Sequence, residues 1–158
     1  MTERTTNLFE DLEITRIFDG PRELVWKAWT DPSIVMKWWG PKGFTSPACK
    51  IDFRVGGQYL FCMRTPDGYE GWSGGEYTEI IAREKIVSTL FYADQNGRVE
   101  PADKNDVEVR DVVTFEDHGN GQTKLVFKRS HWDEGEDIGM IEIFDKMAAL
   151  VAELSGRV

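Results

Sequence analysis

The last part of the chain carries a helical pattern that the rest of the chain lacks. Met140, Phe144, Met147 and Val151 are spaced by four, three and four residues, which places them on one face of a helix predicted from Glu136 to Leu154. The residues predicted to widen this face are Ile141, Ala148 and Leu154. Before this helix, alternation of apolar and polar residues predicts a series of strands. Strands followed by one helix favour an α+β fold in which the helix lies on one face of an antiparallel sheet.

Alternating segments bounded by turn residues predict about seven strands. They cover residues 11–18, 51–55, 58–64, 69–81, 85–92, 107–116 and 123–129. The paired glycines Gly74 and Gly75 predict a bulge or the close approach of another element, and residues 93–106 indicate a surface loop. Because a sheet of this size curls, a helix held against it encloses a cavity wherever side chains do not fill the space.

Two short helices are predicted directly after the first strand. Pro21 and Pro32 suit helix starts, because the missing N–H has no intrahelical partner there, and Asp31 can cap the second helix. Gly40 and Pro41 end it, since glycine adopts the left-handed conformation and proline cannot continue a helix. The tryptophans of this segment are Trp26, Trp29, Trp38 and Trp39. So much indole must either pack in a core or line a cavity.

Composition excludes several classes of function. The chain has 158 residues and a net charge of −9, without a run of basic residues, which argues against nucleic-acid binding. It has neither an apolar stretch of membrane-spanning length nor an apolar signal segment at its start, so we expect a cytoplasmic protein. We expect a single domain over residues 11–158, preceded by a flexible N-terminus at residues 1–10.

No metal site, cofactor or catalytic residue is predicted. Cys49, Cys62, His118 and His131 lack the short spacings of zinc ligands, and the two thiols are expected to be free and buried. The sequence has no phosphate-binding or dinucleotide-binding glycine motif and no serine nucleophile elbow.

An apolar cavity between the sheet and the last helix is the candidate site. Tyr59, Phe61 and Met63 share one face of their strand, and we expect Phe144 and Met147 of the helix to meet them. Methionine adapts its shape, so such a space suits a flexible apolar ligand. A closed core without a ligand is the alternative. The candidate cavity-lining residues are Trp38, Tyr59, Phe61, Met63, Trp72, Glu76, Met140, Phe144 and Met147.

Four polar or aromatic residues have competing interpretations. Trp38 and Trp39 are adjacent and point in different directions, so we expect one in the core and the other at the mouth of the cavity. Glu76 either projects into the cavity as an acid or anchor, or is a solvated strand residue. His131 belongs either to a loop that closes over the cavity or to the surface.

The chain resembles a known family in several segments. Residues 18–32 (FDGPRELVWKAWTDP), 37–41 (KWWGP), 52–57 (DFRVGG) and 75–80 (GEYTEI) are similar to bacterial proteins of the Hsp90-ATPase-activator-homologue type, the AHSA1-like proteins. These belong to the START-like, Bet v 1-like (SRPBCC) superfamily with a helix-grip fold. The resemblance implies an apolar cavity between sheet and helix, but neither a shared catalytic set nor a particular ligand.

Three functional hypotheses remain from the sequence. The first is non-enzymatic binding of a small apolar or aromatic molecule in the cavity. The second, from the resemblance alone, is a module that interacts with an Hsp90-type chaperone. The third is an enzyme similar to polyketide cyclases or hydrolases, which needs polar groups such as Glu76 and Tyr59 to converge in the cavity. A homodimer is plausible, while neither nucleic acid nor a membrane is an expected partner.

Overall fold

The strands form one antiparallel sheet, and the last helix lies against its inner face. The computed structural model describes the backbone of residues 2–4 and all of residues 11–96, 98–102 and 107–156. The strands are β1 Thr2–Arg4, β2 Leu12–Phe18, β3 Cys49–Ile51, β4 Gln58–Arg64, β5 Glu70–Ile81, β6 Lys85–Ala93, β7 Val99–Pro101, β8 Val109–Gly119 and β9 Gln122–Arg129. The helices are α1 Arg22–Thr30, α2 Pro32–Trp38 and α3 Glu136–Leu154.

The sheet order is β1-β2-β9-β8-β6-β5-β4-β3, and β7 pairs with β6. The first long strand, β2, therefore lies beside the last strand, β9, with Leu12 opposite Arg129 and Phe18 opposite Thr123. Helices α1 and α2 follow β2, as predicted, and α3 follows β9. This arrangement confirms the α+β helix-grip fold.

The apolar stripe of α3 packs into the main core. Met140, Phe144, Met147 and Val151 are buried as predicted, and the Phe144 ring lies 5.6 Å from the ring of Phe127 in β9. Of the three residues predicted to widen this face, Ile141 and Ala148 are partly buried against the core, whereas Leu154 is 46% exposed. The stripe thus fixes α3 on the inner face of the sheet.

The start of α2 and its end confirm the predicted caps. Pro32 occupies the first turn, the Asp31 side chain accepts a hydrogen bond from the Ser33 N–H at 3.0 Å, and Gly40 has a φ of +100°. Pro21 precedes α1 as its capping residue, one position earlier than the prediction that it begins the helix. The proline signals therefore located both helices to within a residue.

Two segments differ from the predicted strands and loops. Residues 51–55 were predicted as a strand, but β3 ends at Ile51, and Asp52 and Arg54 form a turn closed by a hydrogen bond from the Gly57 N–H to the Arg54 carbonyl. A Cβ atom on Gly57 would lie 2.0 Å from the Asp52 carbonyl oxygen, so glycine is required for this turn. The predicted loop at 93–106 contains β7, which pairs with β6.

The flexible N-terminus predicted for residues 1–10 lies largely outside the described residues; within it, residues 2–4 pair with β2. None of the described helices is both long and apolar enough to cross a lipid bilayer.

Candidate functional site

A small cavity lies between the inner face of the sheet and the helices. Its volume accessible to water is about 40 Å³, which leaves room for only a few water molecules. Its walls come from α1, the end of α2, strands β4, β5, β6, β8 and β9, and α3. The lining residues are Trp29, Trp39, Tyr59, Phe61, Ser73, Tyr77, Ile86, Ser88, Leu90, Asp111, Val113, Phe127, Arg129 and Met140.

A more open groove of about 120 Å³ adjoins this cavity. The two spaces share Trp39, Ser73, Arg129 and Met140, whose side chains form the partition between them. The groove continues past Pro41 and along the start of α3.

Aromatic rings in edge-on or tilted contact form the apolar wall of the cavity. The Phe61 ring lies 5.1 Å from Trp39 and 5.0 Å from Tyr59, and Tyr59 lies 5.4 Å from Tyr77. The Tyr59 hydroxyl donates a hydrogen bond of 2.7 Å to the Thr89 carbonyl oxygen. Burial raises the pKa of both tyrosines well above the usual range of a phenol. Neither phenol therefore ionises at neutral pH.

A buried ion pair forms the polar end of the cavity. Arg129 in β9 donates two hydrogen bonds to the Asp111 carboxylate of β8, at 2.8 and 3.0 Å, and its side chain is 5% exposed. Burial by itself would lower the pKa of Arg129, but the charge and hydrogen bonds of Asp111, together with the nearby Tyr92 and Glu136, outweigh burial and hold the pKa above its usual value. The guanidinium therefore stays charged at neutral pH.

Glu136 extends this pair to the start of α3. One of its carboxylate oxygens accepts hydrogen bonds from Arg129 at 2.6 Å and from the Tyr92 hydroxyl at 3.1 Å, while the other accepts from the Asp133 N–H at 2.9 Å. The cluster ties β8, β9, β6 and α3 together. Because it combines one guanidinium with two carboxylates, it offers no free positive charge to an anionic ligand.

Two indole N–H groups at the cavity lack an acceptor. Trp29 Nε1 and Trp39 Nε1 are buried and have no hydrogen-bond partner among the described residues. Both residues line the cavity. An unsatisfied buried donor costs about 1–3 kcal/mol, and native proteins contain few of them.

Lys146 of α3 holds the segment that carries the partition. Its Nζ donates hydrogen bonds to the carbonyl oxygens of Trp39 at 3.4 Å, Gly40 at 3.0 Å and Phe44 at 3.1 Å. Desolvation by the surrounding protein lowers the pKa of this ammonium group. The lysine thereby fixes the backbone between Trp39 and Phe44 at one side of the cavity.

We expect Lys146→Met to lower the free energy of unfolding by about 2 kcal/mol, since hydrogen bonds from a charged group are lost while the aliphatic stem is kept. The exposed residue Lys37 provides the control, and Lys37→Met should change stability by less than about 0.5 kcal/mol. Urea unfolding gives the free energies. Hydrogen exchange at the Phe44 amide, which donates to the Pro41 carbonyl at 3.0 Å, should accelerate in Lys146→Met alone. Unchanged exchange there would show that the lysine does not hold this segment.

The structure distributes the nine predicted lining residues over four locations. Tyr59, Phe61 and Met140 line the cavity, and Met63 lines the adjoining groove. Trp38, Phe144 and Met147 are fully buried in the core and do not line the cavity, while Trp72 and Glu76 lie on the outer face of β5.

The placements of Trp38 and Glu76 correct the sequence interpretation. Trp38 is anchored by a 2.8 Å hydrogen bond from its Nε1 to the Ala28 carbonyl oxygen, so its neighbour Trp39 is the tryptophan that reaches the cavity. Glu76 pairs across the sheet with the exposed Gln58 and is itself exposed. Its position on the outer face excludes the role of a cavity acid.

Sequence reasoning missed Asp111 and Arg129. In β9, Thr123, Leu125, Phe127 and Arg129 are alternate residues and all are buried, so the same alternation that predicted the strand also points Arg129 inward. The signal was overlooked because Arg129 is charged and is the last residue of β9, where an exposed side chain is expected. Asp111 lies directly opposite Arg129 on β8.

The remaining candidates stand apart from the cavity. Cys49 and Cys62 are both free thiols, and burial raises the pKa of Cys49 to about 12. His131 follows β9 on an exposed turn, where its Nδ1 lies 3.2 Å from the Ser130 hydroxyl. Within the described ranges, no group of three or more His, Cys, Asp or Glu side chains is placed to hold a metal ion.

Comparison with known proteins gives one family match and several structural likenesses. Residues 19–154 match the family model described as "Activator of Hsp90 ATPase homolog 1-like protein". The solution structure of a protein from Arthrobacter aurescens has a TM-score of 0.80 at 23% identity, over 96% of this chain and 91% of that one. Protein CV1439 from Chromobacterium violaceum has a TM-score of 0.72 at 25% identity, over 90% of this chain and 97% of its own.

A third solved structure is that of the AHSA1 protein from Silicibacter pomeroyi. It has a TM-score of 0.73 at 21% identity, and the match covers 91% of this chain and 99% of that protein. No curated protein matches the chain at a significant level.

Proposed function

The chain belongs to the family of Activator of Hsp90 ATPase homolog 1-like proteins, and within this fold we propose that it binds a small, mainly apolar molecule between the sheet and α3. The observation that carries the proposal is the space left unfilled at that boundary. Its walls are apolar and aromatic on most sides, with a few polar groups at one end, which is the usual character of a small-molecule site.

The cavity must enlarge to admit more than water. Trp39 and Met140 separate it from the adjoining groove, and methionine changes rotamer at low cost. A ligand that displaces the Met140 side chain gains both spaces. The cavity is therefore the closed form of a larger site, with Met140 as its gate.

Two matched variants test this proposal. Leu90 lines the cavity, whereas Leu60 lies on the outer face of the sheet in a separate open groove of about 600 Å³ with Phe91. We expect small aromatic and aliphatic compounds to raise the melting temperature of the wild type, since a ligand at 100 times its Kd adds about 2.7 kcal/mol of stability. Leu90→Phe fills the cavity and should abolish this increase, while Leu60→Phe should retain it.

Native mass spectrometry of freshly purified protein provides an independent readout. The wild type and Leu60→Phe should carry a small bound mass that Leu90→Phe lacks. If no compound raises the melting temperature and no bound mass appears in any of the three proteins, the binding proposal is wrong.

Interaction with an Hsp90-type chaperone is the second candidate function, because the family description names activation of the Hsp90 ATPase. Such an interaction would use the surface of the domain and be insensitive to Leu90→Phe. A pull-down and an ATPase assay with the Hsp90 of the same organism test it. Absence of both binding and stimulation at micromolar concentration would remove this candidate.

The two residues on which the enzymatic hypothesis depends, Glu76 and Tyr59, do not converge in the cavity as free polar groups. Glu76 is exposed on the outer face, and the Tyr59 hydroxyl is engaged with the Thr89 carbonyl. We therefore do not propose a cyclase or hydrolase reaction.

A further inference from the structure

We propose that the ligand of this cavity is a neutral compound with a hydrogen-bond acceptor, such as a ketone, ester or ether oxygen, that accepts a hydrogen bond from the indole N–H of Trp39. This inference rests on the proposed binding function and specifies the chemistry of the ligand. Hydrocarbons of the same shape would fit the walls and leave both indoles unsatisfied.

The unpaired polar atoms of the interior are concentrated at this cavity. Over residues 11–96, 98–102 and 107–156, three buried side-chain nitrogen or oxygen atoms lack a hydrogen-bond partner: Arg16 Nη1, Trp29 Nε1 and Trp39 Nε1. The first of these lies 2.7 Å from the Asp145 carboxylate, so its charge is compensated. The other two belong to residues that line one cavity, and Trp39 is only 7% exposed.

An indole nitrogen only donates, so the missing partner must be an acceptor. The contrast with Trp38 supports this interpretation, since Trp38 lies between the other two indoles, 5.1 Å from the Trp29 ring and 5.8 Å from the Trp39 ring, and its Nε1 is satisfied by a backbone carbonyl. The indole N–H of the core residue Trp38 therefore has an acceptor, whereas those of the cavity-lining residues Trp29 and Trp39 have none.

The charges around the cavity select a neutral acceptor. Arg129 is already bidentate with Asp111 and also bonded to Glu136, so the cluster carries an excess of one negative charge. A carboxylate or phosphate ligand would meet these two carboxylates without a free cation. A neutral carbonyl or ether oxygen gains the indole hydrogen bond and avoids this repulsion.

Indane and 1-indanone test the proposal, because they share a carbon skeleton and differ by one carbonyl oxygen. With ¹⁵N-labelled tryptophan in the full chain, we expect 1-indanone to shift the indole N–H signal of Trp39 downfield, while indane perturbs it less. Titration of the same signal should show about tenfold tighter binding of 1-indanone.

Trp39→Phe removes the N–H and keeps an aromatic ring. We expect it to weaken binding of 1-indanone about fivefold or more and to leave that of indane within about twofold. Trp72→Phe on the outer face is the matched control and should change neither affinity.

The outcomes separate this inference from the proposed function. Binding of both compounds with equal affinity and unmoved indole signals would overturn the inference and leave the binding function intact, with water as the partner of the two indoles. If neither compound binds while other apolar compounds do, the acceptor chemistry proposed here is wrong. If no apolar compound binds at all, the proposed function fails as well.

Discussion

Arg129→Met is expected to lower the free energy of unfolding by about 3–5 kcal/mol, because it leaves the buried Asp111 carboxylate without its partner. The carboxylate of Glu136, which is 19% exposed, loses its 2.6 Å contact with the guanidinium as well. Methionine fills much of the volume, so the loss reports on uncompensated charge more than on a cavity. Chemical denaturation at neutral pH measures the effect.

A surface arginine in the neighbouring strand supplies the control. Arg110 is 53% exposed and pairs with Glu108, and Arg110→Met should cost less than about 1 kcal/mol. The double variant Arg129→Met with Asp111→Leu should recover most of the stability, since replacement of a whole buried ion pair by apolar groups is often neutral. Equal stability of Arg129→Met and Arg110→Met would contradict the assigned role of the buried pair.

Gly75→Ala is expected to destabilise the protein by about 3 kcal/mol, because the added methyl group has no space to occupy. A Cβ atom at Gly75 would lie 1.9 Å from the Thr89 carbonyl oxygen and 2.9 Å from the Tyr59 ring. The first contact is with backbone, so the two strands must separate to relieve it. The same carbonyl accepts the Tyr59 hydrogen bond, and the wall of the cavity would be disturbed with it.

Gly71 lies in the same strand and provides the comparison for Gly75. A Cβ atom there meets no atom within 4 Å, so Gly71→Ala should change stability by less than about 1 kcal/mol, measured by thermal and urea unfolding. Equal effects of the two substitutions would mean that the cost comes from loss of glycine flexibility and not from the close approach at Gly75.

The fold was predictable because its determinants are local. Alternation located the long strands, prolines located α1 and α2, and the stripe through Met140 and Phe144 gave the bounds of α3. The failure at residues 51–55 has a local cause too, since the Gly57 turn begins before the alternating pattern stops. Periodicity records which side chains alternate and does not register where the backbone turns.

The site was predictable only in part, because it depends on which elements meet. Tyr59 and Phe61 were found from their shared strand face, but the register between β4 and β5 decides that Glu76 faces outward. Alternation along β9 points Arg129 inward, but its pairing with Asp111 could not be recognised from either strand alone. A buried arginine becomes intelligible only when its partner on the neighbouring strand is known.

The pairing of β2 with β9 determines when the domain can fold. Residues 12–18 find their partners at residues 123–129, so the edge that completes the sheet forms only after residue 129 has been synthesised. Such sequence-distant contacts give a high contact order, and folding on the scale of milliseconds to seconds is the corresponding expectation. Until synthesis reaches β9, the nascent chain keeps the apolar face of β2 exposed to chaperones and to aggregation.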